Sequence, residues 1–189
     1  MKQSNILRKR KNLLMKMLEQ TNIAFDISKL KPVIQEQAFD LHFNHVYKEH
    51  VDRFNEGTGD FAFDKAGAFL HKLYFDNIRE YRINNDPQGK LLSIMETRYG
   101  SYDRFKFTLL EKAKQLQGNG WVFMNTSGYL NIIPNNRIVD NVAMVIDCWE
   151  HAYMFSYGNS VENYIKQTIN IINWDVVSRR IENGNKSKI

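Results

Sequence analysis

The segment Asp147-Cys148-Trp149-Glu150-His151-Ala152-Tyr153 constrains this chain more than any other, because it sets a carboxylate and an imidazole four residues apart in aromatic sequence. On a helix, side chains at that spacing share one face. Two more histidines, His42 and His71, lie far upstream in apolar sequence with helical periodicity. Any fold that brings all four together gathers three imidazole nitrogens and one carboxylate oxygen, a donor set that suits iron, manganese or zinc. On an apolar face a lone histidine is more often a packed or capping residue, so only the four taken together point to a metal.

Composition fits a compact globular chain. Its 189 residues are enough to bury a sizeable core. The apolar runs are broken by Asn, Asp or Lys well short of the roughly 18 residues a transmembrane helix needs. The single cysteine, Cys148, excludes an intrachain disulfide and fits a reducing compartment. We expect it to be a small buried apolar side chain.

The net charge of +5 is concentrated at the start, where Lys2, Arg8, Lys9, Arg10, Lys11 and Lys16 face only one acid, Glu19. Ile6, Leu7, Leu13, Leu14, Met17 and Leu18 recur at helical spacing, which predicts an amphipathic helix over Ser4 to Gln20 with a basic face. Such a helix docks its apolar stripe on the body or on a sister subunit, or offers its charges to an anionic partner. No continuous apolar core follows the charges, so no signal peptide is evident and an intracellular, cytoplasmic location is expected.

Beyond a loop at 26–32, periodicity predicts one helix over Val33 to Asn55 carrying His42 and a second over Asp64 to Tyr81 carrying His71. The Glu56-Gly57-Thr58-Gly59-Asp60 cluster turns between them, giving a helical hairpin. Asn84 to Gly89 is dense in turn residues and marks a domain boundary. After it, helices are expected over Leu91 to Tyr99 and Tyr102 to Gln117, the latter capped at Gly118, and again over Val161 to Ile172 and Asp175 to Ile181. Strands are expected at Trp121 to Met124, Tyr129 to Ile133 and Val142 to Ile146, the last delivering Asp147 at its end. The fold class is therefore α+β: a basic extension (1–22), a helical hairpin (23–87), then a three-stranded antiparallel sheet flanked by helices (88–189).

The chain resembles the iron/manganese superoxide dismutase family, whose hallmark D-x-W-E-H-A-Y stands here as Asp147 to Tyr153 without a departure. The likeness runs through Leu41-His42-Phe43, Gly67 to His71, Tyr99 to Tyr102, Gly118-Asn119-Gly120-Trp121 and Asn173-Trp174-Asp175, and covers about residues 25–180. It implies that His42, His71, Asp147 and His151 hold one Fe or Mn ion per chain. It also implies that superoxide is the substrate, disproportionated to dioxygen and hydrogen peroxide. Glu150 would cross a homodimer interface to meet His151 of the other chain. Trp121, Trp149 and Phe75 would wall the pocket.

The departures lie around the ligands. His50 stands where the family usually has a tyrosine, and Val46 and Met154 replace a histidine–tyrosine pair at the interface. Val161 stands in place of an arginine. The glutamine that tunes the family's metal-bound water is missing: Gly67 occupies its iron-type position, and its manganese-type position falls in the shortened stretch Pro134-Asn135-Asn136-Arg137-Ile138. Asn135, Asn136, Arg137 or His50 are the candidates to replace it. An active dismutase is the favoured reading. The alternative is a protein of the same fold that keeps the metal as a structural staple and serves an interaction or assembly role.

Overall fold

The computed structural model describes residues 17–116 and 119–184. The helix expected over Ser4 to Gln20 therefore lies largely outside the described residues, as does the cap at Gly118. Its last four residues are described and are not helical. Instead, the Leu18 backbone clips to the Asn55 side chain, with its N–H donating to Oδ1 at 2.9 Å and its carbonyl accepting from Nδ2 at 2.8 Å. Two hydrogen bonds to one amide outweigh helical periodicity at this point.

The hairpin begins after a 3₁₀ turn, Ile27–Leu30, inside the stretch expected to be a loop. Its first arm is continuous over 36–56 but not uniform: α1 (Glu36–Asp40), a π-helical segment (Leu41–Tyr47) and α2 (Lys48–Glu56). The π-helical segment carries His42. Such turns are rare and concentrate at functional sites, and α-helical periodicity does not reveal one. Gly57, at φ 69°, ends the arm in the left-handed conformation that glycine tolerates.

The second arm, α3 (Phe61–Asp76), starts three residues earlier than expected because Asp60 caps it, accepting from the Phe63 N–H at 2.8 Å. It stops five residues short of Tyr81. There the fully buried Asn77 takes over the backbone hydrogen bonding: its amide donates to the Tyr74 and Val145 carbonyls and accepts from the Val145 N–H. Arg180 donates to the Leu73 carbonyl at the same helix end.

The second half follows the expected order. It contains α4 (Gly89–Tyr99), α5 (Tyr102–Lys114), β1 (Gly120–Asn125), β2 (Leu130–Pro134), β3 (Val142–Asp147), α6 (Glu150–Tyr157), α7 (Val161–Thr168), a 3₁₀ turn (Ile169–Ile171) and α8 (Trp174–Asn183). Ser101, Ser160 and Asn173 cap α5, α7 and α8 with their side chains. The sheet is antiparallel in the order β2-β1-β3. These features make the α+β fold with a helical N-terminal part that the sequence implied.

Register positions the site. Trp121 pairs directly with Asp147 across β1 and β3, so their side chains emerge on the same face. That face, with Phe123, Ile133 and Val145, packs on the hairpin around Phe39, Tyr47, Leu70 and Phe75. The opposite face, with Val122, Met124, Met144 and Ile146, packs on Met95, Phe105, Leu109, Tyr164 and Trp174. β3 is buried on both faces, which explains its unbroken apolar run. No helix among the described residues is long and apolar enough to cross a membrane.

Asn77 joins α3 to β3 where no water reaches. Replacing it with Ala leaves the Val145 N–H and carbonyl unpaired, and should cost about 2–3 kcal/mol. The urea midpoint of the variant against the parent chain checks this.

Candidate metal centre

Asp147 ends β3, and its two carboxylate oxygens have separate tasks. Oδ1 accepts from the Trp149 N–H at 2.8 Å, closing the turn that starts α6. Oδ2 faces three imidazoles: His42 Nε2 at 3.1 Å, His151 Nε2 at 3.2 Å and His71 Nε2 at 3.5 Å. His151 reaches it from the first turn of α6; the two residues lie four apart, as the sequence shows, but Asp147 belongs to the strand and not to the helix. His42 comes from the π-helical segment and His71 from the middle of α3, so four separate elements supply the cluster.

The four donor atoms lie within 4.8 Å of one another. An ion coordinated at about 2 Å needs ligands about 3–4 Å apart. Buried lone pairs normally find partners, yet Nε2 of His42 and of His71 have no hydrogen-bond partner. His71 is fixed for this purpose. Its Nδ1–H donates to the Gly67 carbonyl at 2.7 Å, which leaves Nε2 as a bare lone pair. Convergent, buried and unpaired nitrogens beside a carboxylate fit a bound cation.

Electrostatics point the same way. Burial pushes both His42 and His71 below the ordinary histidine value of 6.5, His71 the further, despite the raising effect of Asp147. Neutral imidazoles are the form that binds metal. Burial also acts to raise the Asp147 carboxyl, but His151 and His42 beside it outweigh that effect and hold it below the usual carboxylate range. Cys148 is buried and its thiol is pushed up by burial, so it is an inert packing residue.

The three rings named from the sequence lie against the histidines. The Trp121 ring lies 4.9 Å from His71 edge-on, Phe75 lies 4.9 Å from His42, and Trp149 stacks at 6.1 Å on His151. Sequence reasoning missed two further walls, Tyr74 stacked on His42 at 5.2 Å and Tyr47 stacked on His71 at 5.6 Å. Tyr74 sits three residues after His71, a helical spacing that offered a signal; Tyr47 depends on the π-helical geometry, which offered none.

His50 is buried behind His71, with ring centroids 5.3 Å apart. Its Nδ1 is 2.9 Å from Oδ1 of the buried Asp64, a residue the sequence reading did not single out. Among the candidates for the missing amide, the side chain that meets the pocket wall is Asn136: its Oδ1 accepts from Trp121 Nε1 at 3.0 Å and its Nδ2 faces His50 Nε2 at 3.5 Å. Glu150 is exposed at the start of α6, and His151 is the least buried of the four convergent residues, with 20% of its side chain exposed.

Residues 87–180 match the family model for iron/manganese superoxide dismutases, C-terminal domain. A protein of Porphyromonas gingivalis named superoxide dismutase [Mn/Fe] is 30% identical, over 86% of this chain and 98% of its own length. The chain belongs to the iron/manganese superoxide dismutase family. A Sulfolobus acidocaldarius protein named superoxide dismutase [Fe] is 28% identical over 89% of this chain and 95% of its own. A Saccharolobus solfataricus protein of the same name is also 28% identical, over 85% and 91%. The likeness spans both halves, so the hairpin histidines lie within the matched region as well as the Asp147–His151 segment.

Because His42 and His71 are held neutral, the unfolded chain takes up more protons than the native one once the pH drops below about 6.5. Metal-free protein should therefore lose stability as the pH falls from 7 towards 4. The depressed Asp147 adds a loss of the same sign below its unfolded value of about 4. Thermal unfolding across that range checks the sign; a midpoint independent of pH would contradict it.

Proposed function

We propose that the protein is a superoxide dismutase holding one Fe or Mn ion per chain through His42, His71, Asp147 and His151. The observation that carries the reading is the buried cluster of four donors, two of them without any hydrogen-bond partner, in a member of this family. The bound ion supplies one-electron redox capacity, so that one superoxide leaves as dioxygen and a second, after gaining two protons, leaves as hydrogen peroxide.

The chain's own residues do the rest. Three neutral imidazoles and one carboxylate offset only one unit of a trivalent charge, which leaves the centre attractive to an anion. Asp147 fixes the position of the donors by anchoring Oδ1 in the α6 turn. Trp121, Phe75, Tyr74 and Tyr47 keep bulk water from the cluster and hold the imidazole planes. The relatives carry the dismutase name over most of the chain, which favours an enzyme over a protein that keeps the ion only as a staple.

We further propose an antioxidant role and a two-fold homodimer. In that dimer Glu150 accepts a hydrogen bond from His151 of the other chain. The support is that Glu150 is exposed at the start of α6, with Met154 one turn further along the same helix and also exposed. The division into a 1–22 extension, a hairpin unit (23–87) and an α/β unit (88–189) is part of this reading, as are an anionic partner for the extension and a cytoplasmic site of action.

Metal-free protein reconstituted separately with iron and manganese should disproportionate superoxide in proportion to bound metal, and His151→Ala should abolish this. Turnover no better than that of the free aqueous ion would refute the reading. In sedimentation, Glu150→Ala should shift the protein from dimer to monomer and lower activity about 10- to 100-fold.

A further inference from the structure

Behind His71 runs a chain of hydrogen bonds whose direction is set from both ends. The Trp121 indole can only donate, so the amide oxygen of Asn136, 3.0 Å away, must be the acceptor. The Asn136 amide nitrogen then faces His50 Nε2 at 3.5 Å, and that nitrogen must accept. At the far end the Asp64 carboxylate only accepts, so His50 Nδ1, 2.9 Å from it, must carry the proton. Both ends require the same tautomer. Every hydrogen in the chain points from Trp121 towards Asp64.

The backbone is cleared to make room for it. A Cβ on Gly67 would lie 2.7 Å from three ring atoms of His50, and a Cβ on Gly59 would lie 2.6 Å from Asp64 Oδ2. The members come from β1, the loop after β2, α2 and α3, so the chain crosses from the sheet to both arms of the hairpin. Its two ring members both contact His71, Trp121 at 4.9 Å and His50 at 5.3 Å. Asp64 lies seven residues before His71 on α3, two turns along the same buried stripe.

We infer that Asp64 is a positioning residue for the metal centre: it holds His50 as the Nδ1–H tautomer, which leaves Nε2 free to accept from the Asn136 amide and so ties Asn136 and Trp121 to the hairpin. The inference rests on the dismutase reading for its functional consequence but not for its geometry. With Oδ1 accepting from Trp121 and one N–H given to His50, Asn136 keeps one amide hydrogen to donate. Without Asp64, the imidazole loses the acceptor that keeps its proton on Nδ1. With the proton on Nε2 instead, it would face the Asn136 N–H donor to donor, because Trp121 still holds the amide oxygen, and the contact between Asn136 and His50 would be lost.

Two-bond proton–nitrogen NMR correlations of the metal-free, full-length protein, labelled with ¹⁵N at its five histidines, read the tautomer directly. His50→Gln assigns the signal. At mildly alkaline pH the parent chain should show His50 protonated at Nδ1 alone. Asp64→Asn, whose amide oxygen still accepts, should keep that form, whereas Asp64→Leu should shift His50 towards Nε2–H. Asn136→Asp, which removes the donor, should also place a proton on Nε2. The manganese-loaded Asp64→Leu protein should turn over superoxide about tenfold more slowly at unchanged metal content.

His50 protonated at Nε2 in the parent chain, or a tautomer unmoved by Asp64→Leu, overturns the inference whatever the enzyme assay gives. The parent measurement needs no variant to fold. An Nδ1–H tautomer in a chain with no turnover in either metal form would overturn the dismutase reading instead.

Discussion

The structure is organised around one oxygen atom. Asp147 Oδ2 lies within 3.5 Å of three imidazole nitrogens delivered by three different helical segments. Such a cluster is costly without a cation, because desolvated lone pairs converge with nothing between them. Everything else can be read as support for that arrangement. β3, buried on both faces, brings the carboxylate to a fixed depth, and the hairpin packs on the one sheet face from which it projects. Asn77 and Arg180 lock α3 to the sheet, which sets the height of His71.

Asp147 and His151 are legible in sequence because both the strand that ends at Asp147 and the i,i+4 spacing are local. The aromatic wall at Trp121, Trp149 and Phe75 came from the family resemblance and had no local signal of its own. Element order and fold class were also readable, since hydrophobic period and turn residues are local signals. Other features depend on contacts between distant segments. The end of α3 at Asp76 rather than Tyr81 follows from Asn77 bonding to β3, some seventy residues downstream. The π-helical segment around His42 leaves the apolar pattern nearly unchanged and so has no local signature.

The residues around His71 show the same limit. Sequence identified a gap where the family has a glutamine and offered four substitutes. Only the placement of the stretch after β2 puts Asn136, rather than Asn135 or Arg137, against Trp121. Asp64 stood at the expected start of the second helix, where an acid is an ordinary first-turn residue. Its partner, His50, reaches it only because Gly67 has no side chain. His50, Gly67, Asp64 and Asn136 are therefore linked, and each fits because of the others.

Whether these four side chains hold one redox metal is decided by crystals of the manganese-loaded protein, measured on both sides of the manganese absorption edge. One anomalous peak per chain is expected, bonded to Nε2 of His42, His71 and His151 and to Asp147 Oδ2. A peak elsewhere, or stoichiometric metal with these four atoms left uncoordinated, would mean that the cluster is not the metal site.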